Sequence, residues 1–393
     1  MADGLCMHVR KARKMPTGSH LEKTIQQRVD PMERKAMRRI TAFAFLFAYS
    51  LMGMAADTSP PQSISVTEYT HAHQLIDVEN GRRLNVFCMG SGAPTVVFEA
   101  GGGDDSSSFR WVQARIARMT RVCSYDRAGV GFSDASSRAS TAQNIVSDLH
   151  RLIGKVAGGQ PIVLIGHSDG GLYAPLYAAT YPKDVAGMVL IDPFSVGDDQ
   201  AATSVLTTKQ KEGWYASDQN DIKQARQCLA LAKKGLLTKP EYKNSPCLDN
   251  PPNADKAFHQ VLNEELARPQ EQEALLSATL DTYPPADHGL SPAEMALQHA
   301  NLNFGSKPLI VLSAGKDDQG DLPVDKRKAI MKAWTKIHDE LAARSTQGVN
   351  VVVPDSHHYI QKEQPDVVVE AVRQVVENVR SKKPLNTDRL IQK

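Results

Sequence analysis

The sequence is most constrained at Gly166-His167-Ser168-Asp169-Gly170-Gly171, directly behind the apolar run Pro161-Ile162-Val163-Leu164-Ile165. A short run rich in β-branched residues predicts a parallel strand buried on both faces. Residues 172–181 follow with an Ala- and Leu-rich helical pattern. Passing from strand to helix through G-x-S-x-G demands a sharp turn, which holds the serine in a strained backbone conformation. Gly166 and Gly170 are needed because a Cβ at either would collide with the neighbouring strand or helix. The turn lifts the Ser168 hydroxyl clear of the sheet and points it at the mouth of a pocket.

The rest of the chain supplies a sheet for that turn. Residues 73–77 and 83–88 alternate apolar and polar side chains, as antiparallel edge strands do. Strands are expected at 95–100, 121–126, 185–192, 308–314 and 349–353, and helices at 107–119, 141–156 and 365–379. Strands alternating with helices give a mostly parallel α/β sheet. Residues 57–70 read as a polar linker. Between Phe194 and Ser306 there is no strand pattern, only helical pieces near 222–234, 257–266 and 292–300. Such a stretch is too long for a structureless loop and reads as an inserted helical cap.

The first 56 residues stand apart. Met37-Arg38-Arg39 is a short positive start, 40–52 is apolar, and Gly53-Met54-Ala55-Ala56 supplies small residues for cleavage. This is the pattern of a bacterial secretory signal peptide, too short to span a membrane comfortably. Everything before Met37 or Met32 reads as a mis-assigned start or an extension. The expected organisation is a removed N-terminal part at 1–56, core at 57–194, helical cap at 195–305 and core again at 306–393.

Of 46 Lys/Arg and 44 Asp/Glu, residues 1–56 carry ten and four; the remainder holds 36 and 40, a net charge of about −4. With no basic stripe, nucleic-acid binding has no support. No membrane anchor is expected after cleavage, so the chain should be exported to the periplasm or the medium. Cys88, Cys123, Cys228 and Cys247 lie in the mature part, an even number suited to an oxidising compartment. Four cysteines allow three pairings, or buried free thiols; Cys228–Cys247 is favoured because it closes a short loop within one helical segment.

A serine cannot attack a carbonyl at neutral pH without a base, a group orienting the base, and donors for the developing oxyanion. The base candidates are His358 and its neighbour His357, just past the last strand. From Gly166 to this point the chain resembles the α/β-hydrolase superfamily, in its serine-nucleophile branch. The likeness extends over nearly all of 75–380: an eight-stranded, mostly parallel sheet flanked by helices, with an inserted cap. Ser356-His357-His358-Tyr359-Ile360 before Gln364-Pro365 is similar to the family's histidine segment, with His357 in a glycine position, which implies that His358 is the base. Residues 125–134 resemble the loop after the family's fourth strand. Glu99-Ala100-Gly101-Gly102-Gly103 sits where many members have His-Gly-x-Pro, implying an oxyanion hole from the Gly102 and Asp169 amides. Family neighbours among strands imply a Cys88–Cys123 disulfide. For the acid, family position after the seventh strand selects Asp318, with Asp192 at the end of the 189–191 run as a near-equal alternative and Asp317 behind them.

Two departures stand out: Asp169 occupies a position where apolar residues or Gln are common, so its carboxylate is expected to point away from the oxyanion, and Pro175 should bend the following helix. The resulting expectation is an exported serine hydrolase acting on small-molecule carboxylic esters through an acyl-enzyme. A proline-iminopeptidase-like aminopeptidase, with Glu264 and Glu265 holding the substrate amine, is the enzymatic rival; a non-catalytic binding protein on the same fold is the other. Neither cofactor nor metal is expected, since His71-x-His73 lacks further ligands at zinc spacing.

Overall fold

The computed structural model describes residues 63–249, 255–317, 320 and 322–391; the expected signal peptide lies outside the described residues. Eight strands, β1 (Gln74–Glu79), β2 (Arg82–Met89), β3 (Val96–Glu99), β4 (Val122–Tyr125), β5 (Ile162–His167), β6 (Val185–Ile191), β7 (Leu309–Ala314) and β8 (Gly348–Val353), form one sheet in the order β1-β2-β4-β3-β5-β6-β7-β8. The β1–β2 and β2–β4 pairs are antiparallel and all later pairs parallel. Asn80 and Gly81, both at positive φ, make the tight turn between β1 and β2, as a two-residue hairpin loop requires.

The central strands are apolar along their whole length because both faces are covered. In β5, Ile162 and Leu164 enter one core layer, and Val163 and Ile165 the other. In β6, Met188 and Leu190 alternate in the same way with Val189 and Ile191. Twelve helices surround the sheet among the described residues. On one face lie α2 (Ala142–Val156), with Ile145, Leu149 and Leu152, and α3 (Gly170–Thr180). On the other lie α1 (Gln113–Ile116) and α11 (Pro365–Ser381), the latter through Val368, Val372, Val375 and Val376. Pro175 lies inside α3, which is buried from Gly170 to Ala178.

Between β6 and β7 the chain is helical: α4 (Asp198–Ser204), α5 (Thr208–Lys233), α6 (Lys256–Leu266), α7 (Pro269–Thr282) and α8 (Pro292–His299). After β7 come α9 (Val324–Ala342), then α10 (Ile360–Glu363) and, beyond α11, α12 (Asp388–Ile391). Helix α5 starts well before the expected 222, because Thr207 and Gln210 form a reciprocal capping box. The helix expected at 107–119 is two short pieces, a 3-10 turn at Ser106–Phe109 and α1. Asp105 caps that turn through the Ser107 amide at 2.7 Å. Of the expected linker at 57–70, residues 57–62 lie outside the described residues; within 63–70 the reading needs correction, since Ile64 and Tyr69 are buried against Ala114 and Phe258. Two apolar side chains suffice to pin an otherwise polar segment.

Both expected disulfides are present. Cys88 and Cys123 face each other across β2 and β4 with Cα atoms 4.1 Å apart. Cys228 and Cys247, 19 residues apart, tie α5 to the segment after it. Closing a loop of that size removes about 3 kcal/mol of unfolded-chain entropy. The double variant Cys228→Ala/Cys247→Ala should therefore lower unfolding free energy by about that amount in urea titrations. An unchanged midpoint would mean the bond contributes nothing to the folded state.

Candidate active site

Ser168 sits between β5 and α3 with φ +53°, a left-handed conformation that costs a non-glycine residue about 1–3 kcal/mol. The surroundings hold it there. Its amide donates to the Ile191 carbonyl at 3.2 Å, and its carbonyl accepts from the Gly171 and Phe194 amides at 2.7 and 2.9 Å. A Cβ on Gly166 would lie 2.3 Å from the Gly170 carbonyl oxygen, and one on Gly170 2.4 Å from that of Glu99. The expected reason for these two glycines holds.

Asp192, the residue after β6, also has positive φ, +39°. Its Oδ1 accepts from the Ala314 amide at 2.8 Å, and His358 Nδ1 donates to its Oδ2 at 2.7 Å. Burial alone would raise the Asp192 carboxyl, but the hydrogen bond and charge of His358, with His338 and the Ala314 amide, outweigh it and hold the group below the usual carboxylate range. With Nδ1–H committed to Asp192, the neutral imidazole keeps Nε2 as its acceptor. The His358 carbonyl lies 3.3 Å from Nε2 of His167, the residue beside Ser168. His357 is half-exposed and engages Glu363 at 3.1 Å. Ser168, Asp169, Asp192 and His358 line one cavity of about 130 Å³. Asp317 also lines it and meets Arg327 at 3.4 Å, while Asp318 lies outside the described residues. Among the described residues, the carboxylate bonded to the histidine is Asp192.

The glycine loop after β3 lies against the serine: a Cβ on Gly101 would come 3.2 Å from Ser168 Cβ. Beneath it is a buried ion pair to which sequence reading assigned no role. Arg127 donates to Glu99 Oε1 at 3.0 Å, to the Ala100 carbonyl at 2.8 Å and to the Gly101 carbonyl at 2.5 Å. The peptide between Gly101 and Gly102 is planar and trans, so its C=O and N–H point opposite ways. Fixing the Gly101 oxygen on Arg127 therefore turns the Gly102 N–H away from the guanidinium. A carboxylate closing an apolar strand and an arginine following its neighbour were the available signal. Arg127→Met should leave Glu99 buried without its ion partner and cost about 3–5 kcal/mol in urea unfolding, whereas a cost under about 1 kcal/mol would mean the pair does not anchor the loop.

Glu264 and Glu265 do not line the cavity; Glu264 is exposed and pairs with Gln260, and Glu265 is buried near Asp105. Burial, then Asp105 and Glu271, push the Glu265 carboxyl up to about 9, and burial pushes Glu271 up to about 8. Asp105 rises to about 7 through burial and the charge of Asp126. Raised carboxyls bind protons more tightly in the folded chain, so their contribution is present below the unfolded values near 4 and is lost as pH rises through the folded ones. Stability should decline between about pH 5 and about pH 8.5, and Glu265→Gln should flatten that decline in urea midpoints. Parallel declines in the two proteins would show Glu265 to be unshifted.

This sheet, with a serine turn after β5, an Asp–His pair beyond β6 and β8, and helices inserted before β7, defines the class. The chain belongs to the alpha/beta hydrolase family, whose model matches residues 96–371, and is a hydrolase by class. It is 24% identical over 339 residues to the 2-(acetamidomethylene)succinate hydrolase of Mesorhizobium japonicum, covering 83% of this chain and 100% of that protein. It is 23% identical over 286 residues to YqjL of Bacillus subtilis, covering 73% and 85%. Among solved structures, lip1 of Acinetobacter baumannii AYE, a lipase candidate, superposes with a TM-score of 0.53 at 19% identity, covering 81% and 95%. Likeness at that identity is one of fold.

Proposed function

We propose that the protein is an exported serine hydrolase that cleaves carboxylic esters through an acyl-enzyme, with Ser168 as nucleophile, His358 as base and Asp192 as orienting acid. The observation carrying this reading is the 2.7 Å bond between His358 Nδ1 and Asp192 Oδ2, in the cavity that Ser168 also lines. Ser168 Oγ attacks the ester carbonyl carbon and its proton passes to His358 Nε2. Asp192 steadies the imidazolium that forms. The amides of Gly102 and Asp169 donate to the developing oxyanion, each worth about 3 kcal/mol in the transition state. The carbonyl–oxygen bond breaks, His358 protonates the departing alcohol, and water repeats the sequence to release the acid and restore Ser168.

The two disulfides support an oxidising compartment, hence export to the periplasm or the medium. No described helix is long and apolar enough to cross a membrane.

The test uses the chain starting at Asp57, a fluorophosphonate probe and nitrophenyl esters of short and long acids. Ser168→Ala and His358→Ala should lose labelling and turnover by about 10⁴-fold or more. Asp192→Asn should lose about 10⁴-fold in kcat while Asp318→Asn stays within about tenfold. The opposite order at the two aspartates would move the acid to Asp318. A folded wild-type chain that neither labels nor turns over any ester would overturn the hydrolase reading in favour of a binding protein.

A further inference from the structure

The cavity beside Ser168 holds more carboxyl groups than ester cleavage needs. Besides Asp192 and Asp169, it is lined from the inserted helices by Asp198, Asp199 and Asp218. Lys316, the one Lys or Arg of its lining among the described residues, is exposed and donates to the Asp355 carbonyl at 3.0 Å. His338 is buried and spends its Nε2 on the Pro193 carbonyl at 2.9 Å; burial lowers its imidazole from the usual range.

Asp198 is the member that points to a ligand. It is only 5% exposed. Its Oδ2 accepts from the Ser195 amide at 2.8 Å, whereas its buried Oδ1 has no hydrogen-bond partner among the described residues. A buried carboxylate oxygen left without a donor costs free energy that a bound N–H group would recover. Burial, and then Glu294, Asp199 and Asp192, push the Asp198 carboxyl well above its usual range, so a cation placed there would relieve mutual repulsion as well. Two indoles share the lining. Trp214 Nε1 donates to Asp199 Oδ1 at 2.8 Å, and Trp334 Nε1 donates to the Asp198 carbonyl at 3.1 Å, with ring centroids 6.4 Å apart. Their N–H groups are thereby used by α4, leaving the ring faces as the indoles' remaining means of binding a cation.

We infer that this cavity selects esters bearing a protonated amine, whose N–H is received by Asp198 Oδ1 with Trp214 and Trp334 alongside. The inference rests on the ester-hydrolase reading for its chemistry but not for its binding site. An N–H bearing ammonium is favoured over a quaternary one because the orphan oxygen requires a donor. Asp198, Asp199 and Asp218 take the part first expected of Glu264 and Glu265.

The experiment compares two isosteric esters, the dimethylaminoethyl and the isopentyl ester of butyric acid, and repeats the pair on the acyl side with dimethylaminobutyrate and methylhexanoate ethyl esters. Turnover is followed by pH-stat at neutral pH. The cationic member of at least one pair should have a kcat/KM about tenfold or more above its neutral partner, and Asp198→Asn should bring that ratio down about tenfold. Asparagine keeps the shape and the Ser195 contact while aiming an amide at the cavity; Asp218→Asn is the second variant should the first not fold. Binding is read separately in Ser168→Ala by calorimetry with dimethylbutylammonium and with isohexane-like isohexanol. Tighter binding of the ammonium, weakened by Asp198→Asn, supports the site even if no ester is cleaved, in which case only the ester reading fails. Turnover of the neutral esters with ratios near one, or ammonium binding no tighter than the alcohol, would overturn the inference.

Discussion

Everything at the site depends on how closely α3 approaches the ends of β3 and β5. That approach is possible only because Gly166, Gly170 and Gly171 have no side chains: a Cβ on each would sit within 2.4 Å of backbone or of Pro193. The gain is geometric. Ser168 is forced to positive φ, and its carbonyl is gripped by amides from both α3 and the Asp192-Pro193-Phe194 turn. The strained residue is over-determined by its neighbours, so the conformation persists despite its local cost.

A second layer of order lies under the glycine loop. Glu99 and Arg127 are both buried, and such pairs seldom stabilise a fold more than apolar residues of similar volume would. Their use here is directional. One guanidinium takes two successive loop carbonyls, and Tyr125 donates to the remaining Glu99 oxygen at 2.5 Å. A glycine-rich loop with no side chains of its own gains a defined set of peptide orientations from that arrangement.

Much of the molecule was legible beforehand because its signals are local. The 162–165 run is β-branched and continuous because both faces of β5 are covered. The period of 149, 152, 153 and 156 marks one buried face of α2, and all eight strands fall where alternation or apolar runs placed them. The failures have physical causes too. The segment at 107–119 keeps helical spacing of Phe109, Val112 and Ile116, which are all buried, yet it folds as a 3-10 turn and a separate short helix. The inserted helices pack by shape, so which of their carboxylates face the cavity could not be read from spacing. Glu264 and Glu265 are carboxyl groups like Asp198 and Asp218 but do not line the cavity.

By itself the sequence determined the order of the strands, the serine turn and the histidine segment, because each is encoded by neighbours within about ten residues. It left the acid undecided between Asp192 and Asp318, which follow β6 and β7. Those strands are adjacent in the sheet, about 4.8 Å apart, so position along the chain does not choose between the two. Only the tertiary structure brought Asp192 to His358: the strand ends are in register at Ile191 and Leu312, and the left-handed backbone at 192 lets one carboxylate reach both the Ala314 amide and the imidazole. That distinction depends on how two strands 122 residues apart at Asp192 and Ala314 are aligned, which no local pattern records.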